Sequence, residues 1–519
     1  MASDSSRPVK SPASGIAISG MTIVCLLALF KLLLHFCLNS RYGYHGDELY
    51  FMACGEHLDL GYVDIGPLTI WLGRLSRLAM GDSLFALRFF SAVAGALTVI
   101  LMGLFARELG GGRFAQALAA LTYIIALGWL LPGNILALPS FEPLFWGLCA
   151  LTVVRIIKTG NTRLWVWFGV VAGIGFLNKP SVVFFGAAFV IALLLTPQRR
   201  LFLDKWIYIG GLAAFVVVLP NLYWQYTHDW PTLQFVMGLN ANIMQRISAL
   251  EFIAGQILYY HPFNAPIWLA GLGYYFFSRE GRPYRVLGWT YVFVFLFLLI
   301  AKSKIYYLGP AYPMLLAAGA RAIEQVIEKR SLSWMKVAVP AALVAGGLVT
   351  APGALPLLPI EKLDGYVRAL TGGFIKNSYE LTGTFHDMFG WEEQVETVAK
   401  VYDALPPEEK DECVIFTGNF SCAGAVDFFG RRYGLPRATT VHQNYYFWGP
   451  PEKDGKVLVT LSVKPEDLKL FYDDVRLAAT AECERCTTGR RHMPIFVCRR
   501  PKAPLRDIWP SLRPIAFLN

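Results

Sequence analysis

The sequence predicts a mainly α polytopic membrane protein with a small C-terminal α/β domain on the extracytoplasmic side of the bilayer. Three observations predict it. Of 519 residues, 55% are apolar and only 16% are charged, where a soluble domain carries about 25% charge, and mean hydropathy is +0.44. Apolar runs approaching the roughly 20 residues that cross a bilayer recur along the first two thirds of the chain. From about Ala354 the pattern changes to short helical and β-rich stretches.

The first apolar run, about Gly15 to Leu38, follows a polar start holding Arg7 and Lys10. It is too long for a signal peptide and lacks a small-residue cleavage site, so it reads as a spanning helix, with Lys31 snorkelling or facing the bundle. Further runs lie near 84–106, 114–131, 141–157, 164–178, 180–197, 206–224, 251–277, 286–301, 306–325 and 337–353. The expectation is about eleven spans, several of them interrupted by proline, as at Pro220, Pro262 and Pro310.

Charge orients these spans. Alternate loops hold Arg107 and Arg113; Arg155, Lys158 and Arg163; Arg199, Arg200 and Lys205; Arg279, Arg282 and Arg285; and Lys329, Arg330 and Lys336, fourteen basic residues in five short loops. The positive-inside rule puts these loops and the N-terminus in the cytoplasm and residues 354–519 outside, in the periplasm or extracellular space of an inner (plasma) membrane protein. The net charge of +10 is thereby absorbed in topology, and no nucleic-acid partner is expected.

The intervening outer segments are not all short. Residues 39–83 contain the amphipathic stretches Glu48–Leu60 and Leu68–Ala79, suited to helices lying in the membrane interface, and Gln225–Leu250 forms a second such loop. The chain therefore divides into a membrane domain, 1–353, and an external domain, 354–519. In the latter, Trp391–Leu405 and Glu466–Tyr472 have helical periodicity, and Cys413–Thr417, Val457–Val463 and Pro494–Cys498 read as strands. Of nine cysteines, three in or near apolar runs (Cys25, Cys37 and Cys149) are expected as buried small hydrophobes. The lone Cys483-x-x-Cys486 supports zinc only weakly, and an oxidising compartment favours one or two disulfides among the five external cysteines.

Chemistry concentrates in the outer loops. Tyr42-Gly43-Tyr44-His45-Gly46-Asp47-Glu48-Leu49-Tyr50 sets two adjacent carboxylates among aromatics just after the first span. A partly desolvated carboxylate there suits a general base acting on a hydroxyl; equally, Asp near a helix start serves as a cap or dipole partner. Glu142, in Pro139-Ser140-Phe141-Glu142-Pro143, invites the same two readings. Lys179, in Asn178-Lys179-Pro180-Ser181, and Lys302 and Lys304, before Ile305-Tyr306-Tyr307, are cations on the side where lysine is disfavoured. They suit a lipid phosphate, with snorkelling as the alternative. His228, Asp229 and His261 match no ligand spacing, so no metal ligands are assigned, although a divalent metal stays open. No strand-linked GxGxxG, Walker loop or GxSxG elbow is present.

Taken together, these features resemble the dolichyl-phosphate-mannose protein mannosyltransferase family, glycosyltransferase family 39, which has the GT-C fold and counts the aminoarabinose transferases of lipid A among its relatives. The resemblance is strongest over residues 42–200, in Gly43–Tyr50, Gly61–Leu68, Arg107–Phe114 and Gly175–Pro180. It continues more weakly through Lys302–Gly319 and in His442-Gln443-Asn444-Tyr445-Tyr446-Phe447-Trp448-Gly449-Pro450 of the external domain. The resemblance implies inverting transfer of a sugar from a polyprenyl-phosphate donor to a hydroxyl of a protein, lipid or glycan, with no nucleotide cofactor. Asp47 would be the base, Glu48 would orient the loop or the acceptor, and Glu142 stands where relatives usually have aspartate. Lys179, Lys302 and Lys304 would hold the departing phosphate, and Tyr44, His45, Tyr306 and Tyr307 are expected to line a donor or acceptor pocket. One departure stands out: some relatives carry a lysine before a Pro-Pro after the first loop, and Val63-Asp64-Ile65-Gly66-Pro67-Leu68 has neither. A transporter or flippase is the rival reading, for which paired broken helices in two related halves would be expected.

Overall fold

The computed structural model describes residues 19–242, 247–370, 372 and 379–517. The polar start with Arg7 and Lys10 lies outside them, as do residues 243–246 of the second outer loop. Among the described residues, six helices are long and apolar enough to cross a bilayer: Gly20–Leu38, Leu84–Glu108, Leu138–Thr159, Lys205–Thr227, Arg282–Ile300 and Met335–Gly353. Two bent pairs, Arg113–Ile125 with Leu127–Asn134 (78°) and Val182–Leu194 with Pro197–Leu203 (107°), bring the number to eight. Shorter apolar helices, Leu164–Asn178 and Ala249–Tyr259, complete the set.

The first helix, α1 (Gly20–Leu38), starts at Ser19, whose hydroxyl accepts the Thr22 N–H. It packs one face, with Val24, Ala28, Lys31 and His35, against the bundle and turns the rest outward. Cys25 and Cys37 lie on that outward side and are exposed, contrary to the burial expected of them, and only Cys149 of the three is buried. The interfacial stretches of the first outer segment fold as α2 (Gly46–Glu56) and α3 (Pro67–Met80), and the chain returns as α4 (Leu84–Glu108) and α5 (Arg113–Ile125).

Several apolar runs are broken, and the breaks matter. The 114–131 run bends after Ile125. The 251–277 run divides into Ala249–Tyr259 and Ala265–Phe277 around His261, which holds a positive φ of 79° before Pro262. The 306–325 run opens with the 3-10 segment Ile305–Ala311 before the helix Tyr312–Lys329. Irregular backbone at membrane depth is tolerated where it is buried in protein or lines a cavity, and these three breaks meet at one.

The C-terminal domain, called external after the side of the membrane expected for it, is built on a five-stranded mixed sheet. Its strands are β1 (Cys413–Thr417), β2 (Ala438–Thr439), β3 (Val457–Leu461), β4 (Tyr472–Glu482) and β5 (His492–Pro501), in the order β2-β1-β3-β5-β4. β1 runs parallel to β2 and β3, and β5 is antiparallel to β3 and β4. β1 and β3 are apolar along nearly their whole length, as strands covered on both faces must be. Helices Trp391–Asp403 and Phe420–Phe429 cover one face. Of the five external cysteines, Cys483 and Cys486 form a disulfide, which settles the CxxC as a bridge, and Cys413, Cys422 and Cys498 are buried free thiols. A single apolar cluster runs from Leu49, Tyr50 and Ile70 of the outer loops into Val395, Ile415 and Val459 of the external domain. The domain is thus built onto the outer loops and shares their core.

Candidate active site

Adjacent residues on an α-helix point about 100° apart, and the first turn of α2 uses that angle to separate two carboxylates. Asp47 has 54% of its side chain open, whereas Glu48 retains 1%. The Glu48 carboxylate takes a paired grip from Arg88 on α4, Nε to Oε1 at 2.8 Å and Nη2 to Oε2 at 2.6 Å. It also accepts the backbone N–H of His45 and of Leu136, while Arg88 donates to the carbonyls of Asn39 and Gly43. Glu48 is therefore a buried tie that fixes the loop, turned away from any substrate. His45 caps the helix, its Nδ1 accepting the Asp47 N–H at 3.1 Å.

Asp47 looks into a cavity of about 480 Å³. Its floor and walls come from the broken segments: Gly128, Trp129, Leu131 and Pro132; Tyr259 and Tyr260; Tyr306, Tyr307, Gly309 and Pro310. Its polar groups are His45, Asp47, Asp64, Glu142, Lys179 and Lys304, and the external domain adds Thr384 and Phe420. A largely apolar chamber with a few convergent charges is the ordinary form of a small-molecule site. Desolvation at this depth lifts the Asp47 carboxyl above the usual carboxylate range. His45 opposes that shift, Asp387 and Glu48 add to it, and Lys304 opposes it.

The two cavity lysines differ in their partners. Lys179 Nζ lies 3.0 Å from Glu142 Oε2 and over the Tyr307 ring at 4.5 Å, and Ser181 donates to the other Glu142 oxygen. Glu142 begins the helix Glu142–Thr159, so its charge also meets the helix dipole. Lys304, by contrast, has no ion-pair partner among the described residues and faces Asp47 across the cavity. Among the described residues no three His, Cys, Asp or Glu side chains cluster as a metal would require. His261 instead accepts the Phe263 N–H as a cap.

Two sequence expectations are corrected here. Lys302 does not line the cavity: it takes a positive φ of 50° in the turn that ends the helix Arg285–Ile300, and of the two exposed lysines there only Lys304 lines the chamber. Tyr44 does not line it either, because it packs on Phe428 and Phe429 of the external domain, at 4.9 and 6.0 Å between ring centres. His45, Tyr306 and Tyr307 do line it.

Sequence reasoning missed Asp64. It lines the same cavity, accepts the Tyr50 hydroxyl at 2.9 Å, and has its carboxyl pushed up to about 7 by burial, with Tyr50 opposing and Asp47 reinforcing the shift. Tyr50 in turn accepts from the Asn444 amide of the external domain. The signal was present in Val63-Asp64-Ile65-Gly66-Pro67, a stretch read only for its missing lysine. Gly66 explains the missing second proline, since a Cβ there would lie 2.2 Å from the Leu177 carbonyl and 2.3 Å from that of Asn178.

Comparison with known proteins agrees with this architecture. Residues 64–224 match the family described as dolichyl-phosphate-mannose-protein mannosyltransferase. Lipid A galacturonosyltransferase RgtD of Rhizobium johnstonii is 26% identical over 260 residues, 48% of this chain and 53% of RgtD. The undecaprenyl phosphate-alpha-4-amino-4-deoxy-L-arabinose arabinosyl transferase of Pectobacterium atrosepticum is 25% identical over 365 residues, 62% of this chain and 63% of that protein. The chain thus spans somewhat over half the length of the curated relatives it matches. The crystal structure of ArnT from Cupriavidus metallidurans in the apo state superposes with a TM-score of 0.61 at 16% identity, covering 91% of this chain and 97% of ArnT. The same protein bound to undecaprenyl phosphate gives 0.56 at 14% identity, with the same coverage.

Proposed function

A membrane protein of the GT-C fold, related to the dolichyl-phosphate-mannose protein mannosyltransferase family and to lipid A aminoarabinose transferases, this chain is, we propose, an inverting glycosyltransferase. It moves a sugar from a polyprenyl-phosphate donor to a hydroxyl acceptor on the extracytoplasmic face of the inner membrane, the acceptor being a lipid or glycan of the envelope. One observation carries the reading: a half-open carboxylate, Asp47, and an ammonium, Lys304, with no ion-pair partner among the described residues, face one chamber built from interrupted membrane segments. A donor of this kind keeps its tail in lipid and its sugar at headgroup level, so base and phosphate partner must meet at that depth.

The chemistry follows from the charges. Asp47 removes the proton from the acceptor hydroxyl as that oxygen attacks the anomeric carbon. The bond from that carbon to the phosphate oxygen breaks on the opposite face, and its electron pair leaves with the lipid phosphate. Lys304 compensates the charge that develops there. Lys179 and Glu142 neutralise each other and shape the wall beside the phosphate. Asp64 offers the sugar a hydrogen-bonding carboxyl. The donor class is supported by the arabinosyl transferase relative, whose aminoarabinose is carried on undecaprenyl phosphate, and sugar transfer in general by the lipid A galacturonosyltransferase.

The test is an incubation of the full-length protein with a panel of undecaprenyl-phosphate sugars and envelope lipids, reading released undecaprenyl phosphate by mass spectrometry. Turnover of at least one donor is expected, and Asp47→Asn lowers kcat by roughly 10²–10⁴-fold with donor binding retained. Full turnover in a folded Asp47→Asn protein would remove Asp47 as the base, and no turnover of any donor by the unmodified protein would overturn the reading.

A further inference from the structure

The turn Asp387–Gly390 of the external domain, between helices Tyr379–His386 and Trp391–Asp403, rests on the N-terminus of α2. Asp387 Oδ2 accepts the Gly46 N–H at 2.6 Å and lies 3.5 Å from His45 Nε2. The approach is close enough to demand glycine: a Cβ at Gly46 would come 2.8 Å from Trp391 and 2.9 Å from Asp387 Oδ2. The turn is itself pinned from behind. Arg490 Nη2 stands 3.3 Å from Asp387 Oδ1 and donates to the carbonyls of Asp387 and Phe389, while its guanidinium lies 3.6 Å from the centre of the Trp391 ring. Gly390, at a φ of 82°, packs on the Cys483–Cys486 disulfide, where a Cβ would meet the Cys486 sulfur at 2.1 Å.

We propose that Asp387 is a positioning residue of the glycosyl transfer, reaching from the external domain to hold His45 and the first turn of α2 so that Asp47 faces its acceptor. The inference rests on the reading of Asp47 as the base. His45 stands between the two carboxylates. Because Nδ1 accepts the Asp47 N–H, the ring proton belongs on Nε2, the nitrogen that faces Asp387 Oδ2 at 3.5 Å. Loss of Asp387 frees the ring and a helical N–H together. Asp387 also acts through charge. The groups facing Asp47 are His45 and Glu48 from its own helix, Asp387 from the external turn, Lys304 from across the cavity and Asp64 from the following loop. Asp387 is a negative member of that set, so it raises the proton affinity of Asp47.

Two variants separate the geometric from the charge contribution, assayed in the full-length protein with a donor that the unmodified protein turns over. Asp387→Ala removes both. We expect kcat to fall about 10–100-fold, the loss of one charge-assisted hydrogen bond, with the donor KM within about twofold. Asp387→Asn keeps an oxygen for the Gly46 N–H and loses only the charge. It is expected to recover most of kcat while the acidic limb of the pH–rate profile moves to lower pH, because a base freed of a negative neighbour stays deprotonated further down. A purely structural role would not move that limb. An Asp387→Asn protein with the unmodified acidic limb overturns the proposal, whether or not Asp387→Ala folds. So does an Asp387→Ala protein with unchanged kcat, or one whose only change is a raised donor KM. Failure of the unmodified protein to turn over any donor would instead refute the transferase reading.

Discussion

At the scale of single residues, the two cavity lysines are chemically alike and energetically different. Lys179 is committed to Glu142, whose side chain is only 3% exposed. Removing the ammonium strands a buried carboxylate, a change that costs about 3–5 kcal/mol in well-buried pairs. Lys304 has no ion-pair partner among the described residues, which leaves its ammonium to meet a phosphate in the cavity. Lys304→Met is therefore expected to leave the thermal midpoint nearly unchanged and to weaken undecaprenyl phosphate binding about tenfold, the equivalent of about 1.4 kcal/mol. Lys179→Met is expected to lower the midpoint first. Thermal unfolding and lipid-phosphate binding, measured on both variants in nanodiscs, check the contrast; a stable Lys179→Met protein with the larger affinity loss would reverse the assignment. The sequence could not make this distinction. It showed three cations with no sign of which one would stay outside the cavity, as Lys302 does, or which one a glutamate 37 positions away would claim.

At the scale of elements, the first turn of α2 is held by a knot of charge. Glu48 and Arg88 join α2 to α4, the His45 and Leu136 amides lean on Glu48, and Arg88 secures the carbonyls of Asn39 and Gly43. Four backbone groups thus converge on one buried pair. Glu48→Gln leaves Arg88 uncompensated at 1% exposure. It is expected to destabilise the protein by about 3–5 kcal/mol, read as a lowered midpoint of unfolding in detergent, and to lose activity with it. The double change Glu48→Gln with Arg88→Met is expected to regain part of that stability, since neither charge is then left alone; a double variant worse than the sum of the singles would refute the pairing. Periodicity made the elements legible: both interfacial helices, and strands within Cys413–Thr417 and Val457–Val463, fall where the pattern put them. The 11-residue strand β4 went unread because it is an exposed edge with charged residues along it. The Asp-Glu pair could be found in the sequence, but not its division of labour, because that depends on which side of the helix start meets Arg88.

At the scale of the whole molecule, the arrangement requires the external domain and the cavity to be on one side of the membrane. The apolar cluster shared by the outer loops and the sheet, the Asp387 contact with Gly46 and the cavity-lining Thr384 and Phe420 tie the two together mechanically. The expectation for which side that is comes from charge alone: by the positive-inside rule, the loops holding fourteen basic residues face the cytoplasm and the sheet faces away from it. Because the domain closes over α2, a flipped insertion would carry the cavity, Asp47 and the sheet together into the cytoplasm, away from the proposed envelope acceptor. Single cysteines introduced at Lys400, on the exposed side of the helix Trp391–Asp403, and at Arg200, in a basic loop, separate the two orientations. With a membrane-impermeant maleimide on intact spheroplasts, Lys400→Cys is expected to label at once and Arg200→Cys only after permeabilisation. The reverse pattern would put Asp47 in the cytosol, and a base there cannot meet an acceptor on the other side of the bilayer.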